Sequence, residues 1–79
     1  MPLSAEQRRQ IKAFGMNVRR ERTRKSLTQE RLAEMADLYP RTIQKIEAGK
    51  LNILLTTMLR IQKALGCTWE SLLNSPALK

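Results

Sequence analysis

Arg41, Gln44 and Lys45 stand three and four positions apart near the middle of this 79-residue sequence. Residues at that spacing are neighbours on one side of an α-helix. Together they would present a guanidinium, an amide and an ammonium, a surface rich in donors and positive charge. Such a surface can grip an anion and read hydrogen-bond acceptors; it is poorly suited to breaking bonds. The chain contains no His, which removes Ser-His-Asp and Cys-His arrangements and imidazole-dependent metal sites. Cys67 is alone, so neither an intrachain disulfide nor a zinc knuckle can form. The expectation is a binding protein, not an enzyme, with no catalytic residue, metal or cofactor.

The whole-chain balance agrees with that surface. Fifteen Lys and Arg against seven Asp and Glu leave a net charge of +8, which concentrates polyanions around the protein at some cost in self-repulsion. Nucleic acid, an anionic membrane or an acidic protein are the partners such a charge admits. A hydrophobic fraction of 42% supports a core, but with one Phe, one Tyr and one Trp the packing must be mainly aliphatic. A chain of this length buries about 60–65% of its unfolded surface, enough for one domain over residues 1–79, ordered over about residues 4–75. The lack of disulfide staples fits a reducing cytoplasm. Leu51 to Leu55 is interrupted by Asn52 and far too short to span a bilayer, and the N-terminus has no apolar stretch of the signal-peptide kind.

The elements that must position Arg41, Gln44 and Lys45 are helices. Ser4 and Gln7 form a capping-box pair opening a helix that runs to about Lys25, with Ile11, Phe14, Val18 and Met16 on its apolar side. Gly15 costs that helix about 1 kcal/mol relative to Ala, which points to another helix packing closely there. The basic run Arg19, Arg20, Arg22, Arg24 and Lys25 reads as a solvated face. Thr28 caps a second helix, Gln29 to Ala36, whose face of Leu32, Ala33 and Ala36 admits a near neighbour. Asp37 tolerates the left-handed conformation that ends it. Pro40 suits the first turn of a third helix, with Ile43 and Ile46 inward and Arg41, Gln44, Lys45 and Ala48 outward, until Gly49 stops it. A fourth helix from about Leu55 to Leu65 buries Met58, Ile61 and Leu65 and ends at Gly66. Thr68 caps a short fifth helix, Trp69 to Leu73, closed by Asn74-Ser75-Pro76, with Ala77 to Lys79 as a loose tail. The fold class is all-α: a compact five-helix domain.

Two short helices joined by a tight turn, the first small-faced and the second polar-faced, describe a helix-turn-helix over about residues 28–48. Leu27-Thr28-Gln29-Glu30-Arg31-Leu32-Ala33-Glu34 followed by Arg41-Thr42-Ile43-Gln44-Lys45-Ile46-Glu47-Ala48-Gly49-Lys50 resembles the Xre-like (Cro/phage-repressor-type) helix-turn-helix family. Ala64-Leu65-Gly66 with Thr68 is similar to that family's fourth-to-fifth helix junction, and the resemblance extends from Phe14 to Leu73. There are departures. Asp37 stands where Gly is common, Tyr39 where Ser or Thr caps the third helix, and Pro40 where a base reader often sits. Asn52-Ile53 replaces a frequent Asn-Pro, a form more like the controller proteins of restriction–modification systems.

The resemblance implies a transcriptional regulator that binds duplex DNA. An α-helix fits the major groove, where each base pair displays a distinct donor and acceptor pattern. Arg41 in the first turn and Lys45 one turn later are the expected base readers, with Gln44 a third reader or a phosphate contact. For the phosphates the resemblance implies Thr28 and Gln29, at a helix N-terminus whose free N–H groups favour anions, together with Lys50 and Asn52. Tyr39 either offers its hydroxyl to a phosphate or packs over the turn. Arg19, Arg20 and Arg24 are expected to act only through the long-range field. Glu47 makes little sense as a DNA contact; its family counterpart pairs with an Arg of the first helix, which implies an ion pair with Arg22.

Apolar residues left over from the core suggest how the domain assembles. Leu54, Leu55 and Leu59 are additional to the inward stripe of the fourth helix, and Trp69 and Leu72 lie on the fifth. A contiguous exposed patch marks an interface, so a two-fold homodimer through these five residues is expected, on a palindromic operator. No small-molecule ligand is expected. An alternative reading is an antitoxin-type protein-interaction module that also binds DNA, although the tail after Leu73 is short for wrapping a toxin. A membrane-surface role is disfavoured because the basic first helix lacks a large Trp, Phe and Leu face.

Overall fold

The computed structural model describes residues 2–73. Five helices follow in order: α1 (Ala5–Arg24), α2 (Gln29–Ala36), α3 (Pro40–Glu47), α4 (Leu55–Leu65) and α5 (Trp69–Leu73), with no strand among the described residues. The Asn74-Ser75-Pro76 stop and the tail lie outside the described residues.

Local chemistry sets most of the boundaries. Ser4 and Gln7 close a reciprocal capping box at the start of α1, the hydroxyl accepting from the Gln7 N–H at 3.0 Å and the amide oxygen from the Ser4 N–H at 2.9 Å. Thr28 accepts the Arg31 N–H at 3.0 Å and Thr68 the Ser71 N–H at 3.1 Å, so α2 and α5 also begin on side-chain caps. Tyr39 gives α3 no side-chain cap; Pro40 starts that helix instead, at a position whose N–H would have no partner in any case. Asp37 ends α2 in the left-handed region at φ 57°, and Gly66 ends α4 at φ 62°. One turn was not foreseen: Ser26, between α1 and α2, also holds φ 57°.

Phe14, Val18, Leu32, Ala33, Ile43, Ile46, Ile61, Leu65 and Leu72 form the core, drawn from all five helices. Met58 packs against it only partly buried. Met16, expected on the apolar side of α1, is exposed. It lies about 100° around the helix from Gly15, away from the core. Gly15 itself explains how α1 and α3 meet. A Cβ there would stand 2.0 Å from the Ile46 carbonyl oxygen, a distance only a shift of backbone could relieve. The missing side chain lets α1 lie directly on the last turn of α3.

Part of the basic run on α1 is structural, contrary to the solvated face expected of it. Glu21 is buried, with Arg20 at 3.3 Å and Arg24 at 3.2 Å from its Oε2. Arg20 also donates to the Ser71 carbonyl at 2.6 Å, and Asn17 to the Leu72 carbonyl at 2.7 Å. Lys25 donates to the Leu65 carbonyl. These donors satisfy carbonyls at the C-terminal ends of α4 and α5 that have no partner within their own helices. They fasten both helices to α1.

Candidate nucleic-acid interface

The third helix is held before it is aimed. Arg22 on α1 donates from Nε to Glu47 Oε2 at 2.6 Å and from Nη2 to Oε1 at 2.9 Å, a bidentate pair. Its Nη1 donates to the Leu27 carbonyl at 2.8 Å. The two side chains are only 12% and 4% exposed. Hydrogen bonding to Glu47 holds the guanidinium pKa above its usual value against the opposing effect of burial. A carboxylate on a helix that faces a polyanion would be repelled; tied to Arg22, Glu47 anchors α3 to α1 instead.

Gln29 joins this anchor. Its Nε2 donates to Glu47 Oε1 at 3.1 Å, so the side chain expected at a phosphate is engaged with the end of α3. A primary amide carries two N–H donors, and the contact with Glu47 uses one. The sequence carried no signal for this link, because 18 positions separate the two residues and no helical periodicity spans the turn.

With α3 fixed, Ile43 and Ile46 sink into the core and Arg41, Gln44 and Lys45 are exposed on the opposite side. Their side chains make no hydrogen bond or ion pair among the described residues. Gly49 follows at φ 71° and turns the chain into the loop that carries Lys50 and Asn52, both exposed. Thr28 is exposed at the start of α2, with its hydroxyl hydrogen still free for a second partner after capping. Tyr39 is exposed as well, so it does not pack over the turn.

The surface expected between two copies is only partly present. Leu54, Leu55 and Leu59 are 72%, 67% and 47% exposed. Leu72 is a correction: it is fully buried in the monomer's own core, beneath α1, and is not available to a partner. Trp69 is half-buried and packs against that core.

A helix-turn-helix with an exposed, donor-rich second helix and a buried clamp behind it defines a DNA-binding regulator. The helix-turn-helix family model matches residues 18–72, and the chain belongs to that family, in its Xre-like branch. Among its relatives, control protein C.BamHI of Bacillus amyloliquefaciens is 42% identical over 62 residues, covering 77% of this chain and 76% of its own. Control protein C.SmaI of Serratia marcescens is 36% identical over 63 residues, covering 80% and 75%. Among solved structures, the restriction-modification controller protein C.AhdI of Aeromonas hydrophila superposes with a TM-score of 0.75 at 32% identity, over 78% of this chain and 94% of that one.

Proposed function

We propose that this protein is a controller of a restriction–modification system, a non-enzymatic cytoplasmic regulator that reads a palindromic operator through the major groove as a two-fold homodimer. The observation that carries the reading is the exposed Arg41, Gln44 and Lys45 face on a helix clamped from behind by Arg22, Glu47 and Gln29. Arg41 is the reader of guanine O6 and N7, a bidentate contact worth about 1–3 kcal/mol of discrimination. Lys45 and Gln44 read neighbouring acceptors. Thr28, Lys50 and Asn52 hold phosphates, Tyr39 adds its hydroxyl, and Gln29 reaches a phosphate with the N–H that Glu47 leaves free. Similarity to the control proteins C.BamHI and C.SmaI and to the restriction-modification controller protein C.AhdI supports the controller role and does not favour the antitoxin-type reading.

Selection of bound sequences from random duplexes tests this directly. The expected result is a palindromic consensus with half-sites one helical turn apart, about 34 Å, and loss of preference at one base pair per half-site in Arg41→Ala. Recovery of no consensus would overturn sequence-specific reading. A consensus that survives Arg41→Ala unchanged would remove that residue from the readers.

A further inference from the structure

The cations of this chain divide into two groups that the sequence does not separate. Arg22 is paired with Glu47, Arg20 and Arg24 hold Glu21, and Arg31 pairs with Glu34. Arg8, Lys25 and Arg60 donate to backbone carbonyls. Arg41, Lys45 and Lys50, on α3 and its following loop, have no such partner among the described residues, and neither do Lys12 and Arg19 of α1. These last two side chains are exposed.

The packing places Lys12 beside the end of α3, and helical geometry puts Arg19 on the same flank of α1. A Cβ on Gly49 would stand 2.9 Å from Lys12 Cα and 3.1 Å from its Cγ, so the Lys12 stem crosses the chain next to Lys50. Gly15 lies against Ile46 and Glu47, and Arg22 against Glu47, so positions 15 and 22 mark the line where α1 meets α3. At about 100° per residue, positions 12 and 19 both fall on one flank of that line, about 60° and 40° from Gly15. They are two turns apart along α1. Arg9, also unpartnered, lies about 120° from Gly15 by the same count, on the outer face.

We infer that Lys12 and Arg19 form a second phosphate-contacting track, in which α1 lies along the DNA backbone beside the end of α3 and extends the footprint beyond the bases that α3 reads. This rests on α3 being the recognition helix. Phosphate contacts fix position without carrying sequence information, so the track adds affinity and register but no base preference. It also accounts for two cations left unpaired on the flank of α1 nearest α3, where Arg20, Arg22 and Arg24 of the same helix are engaged within the fold.

Salt-titrated binding to the selected operator, with ethylation interference to map phosphates, tests the inference in the Lys12→Ala, Arg19→Ala double variant. Both sites are exposed, and a far-UV spectrum checks that the fold is kept. The expected change is a log–log salt slope shallower by about 0.9 for each residue, unchanged base preference, and loss of interference at the outer phosphates of each half-site. Lys63→Ala, which removes an unpartnered cation from α4 beside the end of α2, should leave slope and interference as they are. A wild-type slope and footprint in the double variant, with Lys50→Ala still flattening the slope, would overturn the track and leave the reading of α3 standing. An equal effect of Lys63→Ala would reduce the contribution to net charge alone and overturn the track as well. Absence of any duplex preference in the unaltered protein would overturn both.

Discussion

At the scale of single residues, two buried carboxylates govern the polar side of this fold, and they do so differently. Glu47 is held by Arg22 and Gln29 across three elements. Removing one member of a buried pair leaves an uncompensated charge and costs about 3 kcal/mol or more. Arg22→Met should therefore destabilise strongly, whereas Arg22→Met with Glu47→Gln should cost less than the sum of the two single changes. Urea denaturation of all four proteins checks this, and additivity would mean that the pair contributes nothing of its own. Glu21 is the second case. Burial raises its pKa, but hydrogen bonds from Ser71 and Arg20 and the charges of Arg24 and Arg20 outweigh that, and the net shift is downward. A lowered carboxylate pKa contributes stability that is present above the unfolded value and lost as pH falls through the folded one. Acidification below the ordinary Glu range should thus destabilise the wild type more steeply than Glu21→Gln; parallel pH profiles of the thermal midpoint would reject the role. The Glu47 partnership was legible only through the family resemblance, which matched Arg22 to it, and the structure shows that pair. Glu21 was not, because its partners sit inside a basic run whose default reading is solvation.

At the scale of elements, the caps made the helices readable, while the contacts between helices had to be seen. Capping boxes, Pro at a first turn and left-handed stops are local, so α2, α4 and α5 fall where the sequence places them. Gly15 signalled a close approach, but only the structure identifies the Ile46 carbonyl as the neighbour. Met16 and Leu72 were misassigned because periodicity on a helix packed from two sides does not say which flank is covered. Gly15→Ala gains about 1 kcal/mol of helix propensity yet must push α1 off a backbone carbonyl. Overpacking of this kind costs about 1–3 kcal/mol, and here no flexible side chain can yield. The net expectation is lower stability together with operator binding weakened beyond the loss of folded protein, since α3 shifts with the contact. Equal stability and affinity in the alanine variant would show that the helices part freely. Ser26 offers the opposite test. A non-glycine residue in the left-handed region costs roughly 1–2 kcal/mol, and glycine there loses part of that gain through chain entropy. Ser26→Gly should raise the melting temperature by a few degrees, measured by thermal unfolding; a fall would mean that the hydroxyl stabilises the turn.

At the scale of the whole molecule, the recognition helix is short and the apolar surface is uneven. Under the proposed reading, Arg41, Gln44 and Lys45 would touch only a few base pairs, too few to mark one site in a genome, so a second copy would add specificity as well as affinity. The patch suited to join two copies is narrower than composition suggested. Leu72 belongs to the core and Trp69 half belongs to it, which leaves Leu54, Leu55 and Leu59 as the large apolar side chains of the patch. Leu55 and Leu59 are one turn apart on α4, so they present a continuous ridge, and Leu54 extends it at the N-cap. Trp69→Ala is consequently an ambiguous probe, since it would open a gap in the monomer as well as remove a contact. Leu55→Lys with Leu59→Lys is the cleaner one. Both positions are exposed, so the monomer should keep its fold, while two like charges would face each other across a two-fold axis. Sedimentation of the unaltered protein at micromolar concentration should give twice the 9.1 kDa chain mass. The double lysine variant should sediment as a monomer with native helix content. Its affinity for the palindrome should fall toward that for an isolated half-site, despite two added positive charges that favour DNA. A wild-type monomer, or a lysine variant that remains dimeric, would place the contact between copies elsewhere on the molecule.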